Sequence, residues 1–285
     1  MKILVIGGSR FVGPLLIKKL VTNKHNVTVF NRGTIQTEYP TGVTYIKGDR
    51  DQGFNIKDHF DAVIDTCAYN GKQTKQALDG LSFAYFLHFG TVASYKEPKI
   101  FPLAEDDAQG NWPFMGDYNK GKAECEVELQ RSGKKYATIR PDYILGAANY
   151  INRENFIYSR INDGVPLLLP GNGQALLEFV TAQDVADIIA MLTEKQISGA
   201  YNCSGDEIIT LKNLVEYMAT LVGKKPIIQY NPAADGANHN EDEFPFANEN
   251  LITTNQKLKD LGFKFTPLLN GLKADFDSYY KGLLL

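Results

Sequence analysis

Short, nearly unbroken apolar runs recur along the chain, at 3–6, 27–30, 43–46, 62–66, 84–89 and 136–140. Runs of that length without alternation suit strands covered on both faces. Between them, 13–23, 72–80 and 117–132 carry apolar residues at helical spacing. Alternation of this kind predicts an α/β fold with a doubly wound parallel sheet. After Arg140-Pro141 the rhythm loosens. The pattern there predicts helices at 152–164, 182–195, 210–223, 255–261 and 268–281. Short strands are expected after Pro166 and at 199–204. The chain therefore divides into a sheet domain over 1–150, to which 178–205 returns, and a smaller C-terminal α/β domain over 151–285. Residues 231–250, with Asp235, Glu241, Asp242 and Glu243, read as a loop or lid, and a solvated loop is the expectation.

The first strand run breaks into Gly7-Gly8-Ser9-Arg10-Phe11-Val12-Gly13 and passes at once into a helical pattern, Leu15-Leu16 to Leu20-Val21. Glycines let a backbone approach a diphosphate, and a helix start offers it N–H groups and a positive dipole end. A tight structural turn is the bland alternative. The strand before, the helix after and a second strand at 27–30 favour a dinucleotide. Residues 7–13 are thus candidate cofactor contacts, and the fold is of the Rossmann type.

In such folds an acid ending the second strand accepts from the adenosine ribose. Here Asn31-Arg32-Gly33 stands instead. The amide removes the negative charge, and Arg32 offers a guanidinium suited to a 2′-phosphate, with Arg10 as a second cation. NADP is the expected cofactor and NAD the alternative. Asp49, after the third strand, is placed to meet the adenine amino group or simply to hold a turn.

Net charge is −3, so no overall basic footprint for nucleic acid exists. Cys67, Cys125 and Cys203 match no metal spacing and read as reduced thiols of a cytoplasmic protein. No metal is expected. The apolar run after Lys2 is too short for a secretory segment, and none spans a bilayer. His25, His59, His88 and His239 share no ligand spacing, and His88 within a strand reads as a core histidine.

Tyr118 and Lys122 stand four apart, hence on one helical face. A phenol is a poor base at neutral pH, and an adjacent ammonium stabilises its phenolate. Tyr95 and Lys99 share the spacing, but Pro98 between them forbids regular helix. Thr91, after the fifth strand, could bind a reacting oxygen. Ser94 competes for that role, and either hydroxyl could merely cap a turn. Trp112-Pro113-Phe114 could stack on a substrate, although packing is the preferred reading.

Together these residues resemble the extended short-chain dehydrogenase/reductase superfamily and its NAD-dependent epimerase/dehydratase family. The resemblance runs from the glycine turn through Asp49, Thr91–Tyr95, Tyr118/Lys122 and Arg140–Gly146. It continues through Leu169–Gly173, Phe179–Ala186, Tyr201-Asn202 and Leu261-Gly262-Phe263. It implies Thr91, Tyr118 and Lys122 as the catalytic set and Pro141 beside the nicotinamide, with Arg50, Thr66 and Ala68 as further cofactor contacts. It also implies hydride transfer on a sugar-like or nucleotide-sugar alcohol, and a homodimer paired through helices that include 117–132.

A narrower resemblance rests on Arg10, Lys120–Glu124 and Phe244-Pro-Phe246. These are similar to the chloroplast stem-loop binding proteins and their bacterial relatives, whose plant members bind RNA on this fold and lack the catalytic tyrosine. Two residues depart from the nucleotide-sugar pattern. Leu177 and Ala247 stand where arginines for a substrate diphosphate are expected. The reading is an NAD(P)-dependent oxidoreductase or epimerase. An RNA-binding protein or a non-catalytic NADP-binding sensor is the rival.

Overall fold

The computed structural model describes residues 1–285 except 111, 114, 115 and 235, so Phe114 and Asp235 lie outside the described residues. Its main sheet holds β1 (Lys2–Ile6), β2 (Asn26–Asn31), β3 (Thr44–Lys47), β4 (His59–Asp65), β5 (Ser82–Phe89), β6 (Tyr136–Pro141) and a late strand, β10 (Gly199–Cys203). Their order is β10-β6-β5-β4-β1-β2-β3, with every pair parallel. This is the doubly wound Rossmann order extended by one strand. The β1 segment KILVI is buried over its last four residues, as a strand covered on both faces must be.

Helices α1 (Val12–Thr22) and α5 (Ala182–Lys195) pack together on one face of the sheet. Their Leu16, Ile17, Leu20, Val185, Ile188, Ile189 and Leu192 share a core with β1, β2 and β4. Helices α2 (Gly71–Gly80) and α3 (Gly116–Arg131) pack together, and Ala77, Leu78 and Leu129 meet a separate core around Phe60 and Phe86. The strand order reverses between β1 and β4. A crevice therefore opens beyond their carboxyl ends, where open α/β sheets bind ligands.

The remaining elements are β7 (Tyr143–Leu145), α4 (Glu154–Asp163), β8 (Leu167–Pro170), β9 (Leu176–Thr181), β11 (Ile208–Thr210), α6 (Leu211–Val222), β12 (Ile228–Asn231), α7 (Gln256–Asp260), α8 (Leu268–Asp275) and α9 (Lys281–Leu283). β11, β9 and β7 form one small sheet, and β12 pairs β8. A second core joins Ile157, Leu177, Leu214, Phe244 and Trp112. Trp112 is 1% exposed and packs, as expected. Strands β7, β9, β11 and β12 have no counterpart among the expected elements. Three of them have only three or four residues, and Glu178 interrupts the apolar run of β9. The expected helix at 268–281 is broken by a π-helical turn at Phe276–Tyr280.

Two buried ion pairs tie the framework together. Arg50 donates through both terminal nitrogens to Asp65, at 2.7 and 2.9 Å, just below the crevice. Arg140 on β6 grips Glu126 on α3 at 2.9 and 2.6 Å, and also donates to the Tyr95 hydroxyl and the Glu105 carbonyl. Among the described residues no helix is long and apolar enough to cross a membrane.

Candidate active site

A cleft of about 880 Å³ opens over the carboxyl ends of β1, β4, β5 and β6. Gly7 to Gly13, Asn31, Arg32, Asp49, Arg50, Thr66, Thr91, Tyr118 and Pro141 all line it. The glycine turn is stitched down by Gly7 N–H to the Phe30 carbonyl and by Gly8 N–H to the Thr66 hydroxyl. Gly7 and Gly8 both have positive φ, at 92° and 75°, conformations that L side chains rarely adopt. A Cβ on Gly13 would stand 2.5 Å from the Gly8 backbone, so only glycine lets α1 start this close to the turn.

Helix α1 begins without a side-chain cap and without an acid in its first turn. By contrast α2, α5 and α6 are capped by Asn70, Thr181 and Thr210. Gly13 N–H donates to the Arg10 carbonyl at 2.8 Å and Pro14 carries no N–H, so what α1 offers an anionic diphosphate is the Val12 N–H and the positive end of its dipole. With Arg32 exposed at the rim, this wall fits a dinucleotide.

Some expected contacts sit differently. The Asn31 amide donates to the Gly7 carbonyl and the Tyr39 hydroxyl, and its oxygen accepts from Gly33 N–H and the Tyr45 hydroxyl. It orders the turn and has no donor left to read a ribose. Arg10 stacks its guanidinium on the Tyr150 ring at 5.2 Å and stays exposed in the cleft lining beside Arg32. The terminal nitrogens of Arg50 are bound to Asp65 and the Gln73 carbonyl, so it serves as wall. Ala68 is fully buried and does not line the cleft. Asp49 caps the following turn by accepting from Asp51 N–H.

Tyr118 rises from the start of α3 into the cleft. Lys122, one turn on, is buried beneath it. Its Nζ donates to the Phe89 carbonyl at 2.8 Å and lies 5.8 Å from the Tyr118 ring and 5.2 Å from the Tyr69 ring. Lys122 therefore backs the site without lining it. Tyr118 is 46% exposed as a whole residue, but desolvation of its phenol within the cleft, with Tyr69 and Tyr150 nearby, raises its pKa, while a hydrogen bond with the Thr91 side chain and the charge of Arg153 pull the other way. Burial also lowers the pKa of Lys122. Thr91 faces the cleft, whereas Ser94 is fully buried and bonds to the Thr91 carbonyl. The competing Tyr95 is fully buried, its hydroxyl held by Asn202 and Arg140.

His88 is a core residue, its pKa lowered to about 3 chiefly by burial. His239 and Glu241, by contrast, line the cleft, so part of the acidic segment is cleft wall rather than solvated loop. Asp142, Tyr143, Tyr150 and Arg153 also line it; the first two lie within the Arg140–Gly146 stretch of the resemblance, which implies no role for them, and Tyr150 and Arg153 carry no motif that marks them. Asp142, a charged residue directly after a buried strand, is the one that sequence inspection could have singled out.

The NAD dependent epimerase/dehydratase family model matches residues 75–204. Over 302 residues the chain is 28% identical to the chloroplast stem-loop binding protein of 41 kDa b of Arabidopsis thaliana, covering 98% of this chain and 78% of that one. It is 23% identical over 236 residues to the uncharacterized protein y4nG of Sinorhizobium fredii, covering 75% and 58%. Among solved structures, the UDP-glucuronic acid 4-epimerase of Bacillus cereus in complex with NAD matches with a TM-score of 0.82 at 19% identity, over 100% of both chains. The UDP-glucose 4-epimerase of Thermus thermophilus in complex with NAD matches at 0.78 and 19%, over 99% of both. The resemblance read from the sequence therefore holds: residues 75–204 match the NAD dependent epimerase/dehydratase family, and the whole chain has the fold of the solved UDP-sugar epimerases.

Proposed function

We propose that this protein is an oxidoreductase or epimerase that moves a hydride between a nicotinamide dinucleotide and the alcohol carbon of a sugar-like small molecule. One observation carries the reading: Thr91 and Tyr118 face the same cleft as the glycine turn and the uncapped start of α1. In this reading Thr91 holds the substrate hydroxyl, and Tyr118 takes its proton as the carbon gives up hydride and becomes a carbonyl. A further positive charge beside the Tyr118 phenol, added to that of Arg153, favours loss of its proton. When bound, the oxidised dinucleotide supplies that charge and accepts the hydride. Return of the hydride to the opposite face would give an epimer, and its loss from the cycle a net oxidation.

NADP is the form proposed, with Arg32 as the 2′-phosphate contact. The division into a dinucleotide-binding part, 1–150 with 178–205, and a substrate part, 151–285, belongs to the same proposal, as do the cytoplasmic setting and the homodimer. The relative named for stem-loop binding favours a second reading, an RNA-binding protein on this fold. Calorimetry at physiological salt with NADPH, NADH and a structured RNA separates the two. Tight NADPH binding that weakens in Arg32→Ala supports the enzyme. RNA binding with no affinity for either dinucleotide supports the rival.

A further inference from the structure

Beyond Pro141, the chain contributes one permanent cation to the described lining of the cleft, Arg153. Its guanidinium lies over the Tyr143 ring at 4.9 Å and within 5.7 Å of the Phe246 ring centre. Aromatic faces of this kind hold a guanidinium in place without neutralising it. It makes no hydrogen bond or ion pair with any described residue, and its Nε is buried without a partner. A half-buried arginine in that condition has its hydrogen-bonding directions committed to nothing among the described residues.

Two neighbours on the same wall share the condition. Asp142 is 6% exposed, and its Oδ2 is buried without a partner while Oδ1 accepts from Tyr143 N–H. Both ring nitrogens of His239 are likewise buried and unpartnered. Burial, with Glu178 nearby, favours the protonated form of Asp142, and burial also keeps His239 neutral. The wall thus presents one positive charge and two neutral groups able to donate. Leu177 is buried and Ala247 lines the cleft, so neither adds a cation to this wall.

We propose that Arg153, with Asp142 and His239, anchors the substrate through a single oxyanion, a carboxylate or a phosphate, on a small hydroxylated molecule rather than through a nucleoside diphosphate. This deepens the oxidoreductase reading and rests on it. Arg153 provides the planar fork that a carboxylate or phosphate accepts from in pairs. Asp142 and His239 donate to the remaining oxygens or to an adjacent hydroxyl.

The test uses the NADPH-saturated protein titrated with gluconate, glucose 6-phosphate, glucose and UDP. At least one of the two sugar anions should bind about tenfold or more tightly than glucose, since hydrogen bonds to charged groups contribute on that scale. The preferred anion distinguishes carboxylate from phosphate, and UDP should bind no more tightly than that anion. Arg153→Gln should lower anion affinity to the level of glucose and leave NADPH affinity unchanged. Arg153→Lys should recover part of the loss. UDP binding well above both sugar anions would overturn the proposal, and so would glucose binding as well as they do, or failure of both anions to bind. Anion affinity that survives in Arg153→Gln would also overturn it. Because wild-type preference among the four compounds is itself decisive, the test holds even if Arg153→Gln does not fold. NADPH saturation is measured first, so loss of the oxidoreductase reading shows before any anion is added.

Discussion

The glycine-turn wall of the cleft, residues 7–13 and 30–33, works through its backbone; the far wall, residues 142–153 and 239–251, works through side chains. The first presents the start of α1 against a turn whose glycines adopt positive φ at fixed positions. The second presents Asp142, directly after β6, Arg153, just before α4, and His239, after β12. A backbone site demands particular residues at particular spacings, because only glycine tolerates the close approach. A side-chain site can be assembled from many positions. The chain thus shares the fold of a UDP-sugar epimerase at 19% identity, while its far wall holds a single arginine, Arg153.

Between the walls stands Tyr118, and its loss should have the largest effect. Tyr118→Phe is expected to reduce turnover by about a thousandfold, with NADPH affinity unchanged by calorimetry. Retained activity would separate the cleft from the chemistry. The next largest effect concerns the support of α3. Glu126→Ala leaves Arg140 buried without its carboxylate, and removing one partner of such a pair costs about 3 kcal/mol or more. Chemical denaturation should show that loss, with turnover falling as the start of α3 loosens.

Gly13→Ala tests the backbone wall directly. Its Cβ would meet the Gly8 backbone at 2.5 Å, and overpacking of this kind costs about 1–3 kcal/mol. Dinucleotide affinity should fall in parallel, while gluconate or glucose 6-phosphate still protects the far wall against proteolysis. Arg32→Ala should weaken NADPH about tenfold relative to NADH. Equal effects on the two would remove the 2′-phosphate argument.

The smallest effect is on stability with pH. Burial raises the Glu178 carboxyl to about 7 from 4.5. The folded state therefore holds a proton that the unfolded chain releases above about 4.5. Its contribution is present below that value and is lost as pH rises through about 7. Glu178→Gln should flatten the decline in denaturation midpoint over that interval.

What was legible in the sequence follows the same division. The buried strands and the helices that alternate with them announce themselves by unbroken and 3.6-period apolar patterns, and the glycine turn by its neighbours. Tyr118/Lys122 could be told from Tyr95/Lys99 because Pro98 breaks the second pair's geometry, and the structure buries Tyr95 against Asn202 and Arg140. Asn31 lines the cleft as expected, while the bonds of its amide to Gly7, Tyr39, Gly33 and Tyr45 are tertiary contacts that the sequence does not announce. Arg153 and His239 were invisible because no spacing links them. The short strands β7, β11 and β12 were missed because three or four residues carry too little pattern to separate strand from loop.

The most direct measurement is a tyrosinate absorbance titration of the wild type and Tyr118→Phe, each with and without NADP⁺. Bound cofactor should bring one phenol's ionisation down toward neutral pH in the wild type, and that phenol should be missing from the Tyr118→Phe protein. A titration curve that NADP⁺ leaves unchanged, or a shift that persists without the Tyr118 hydroxyl, would contradict the placement of a nicotinamide beside Tyr118.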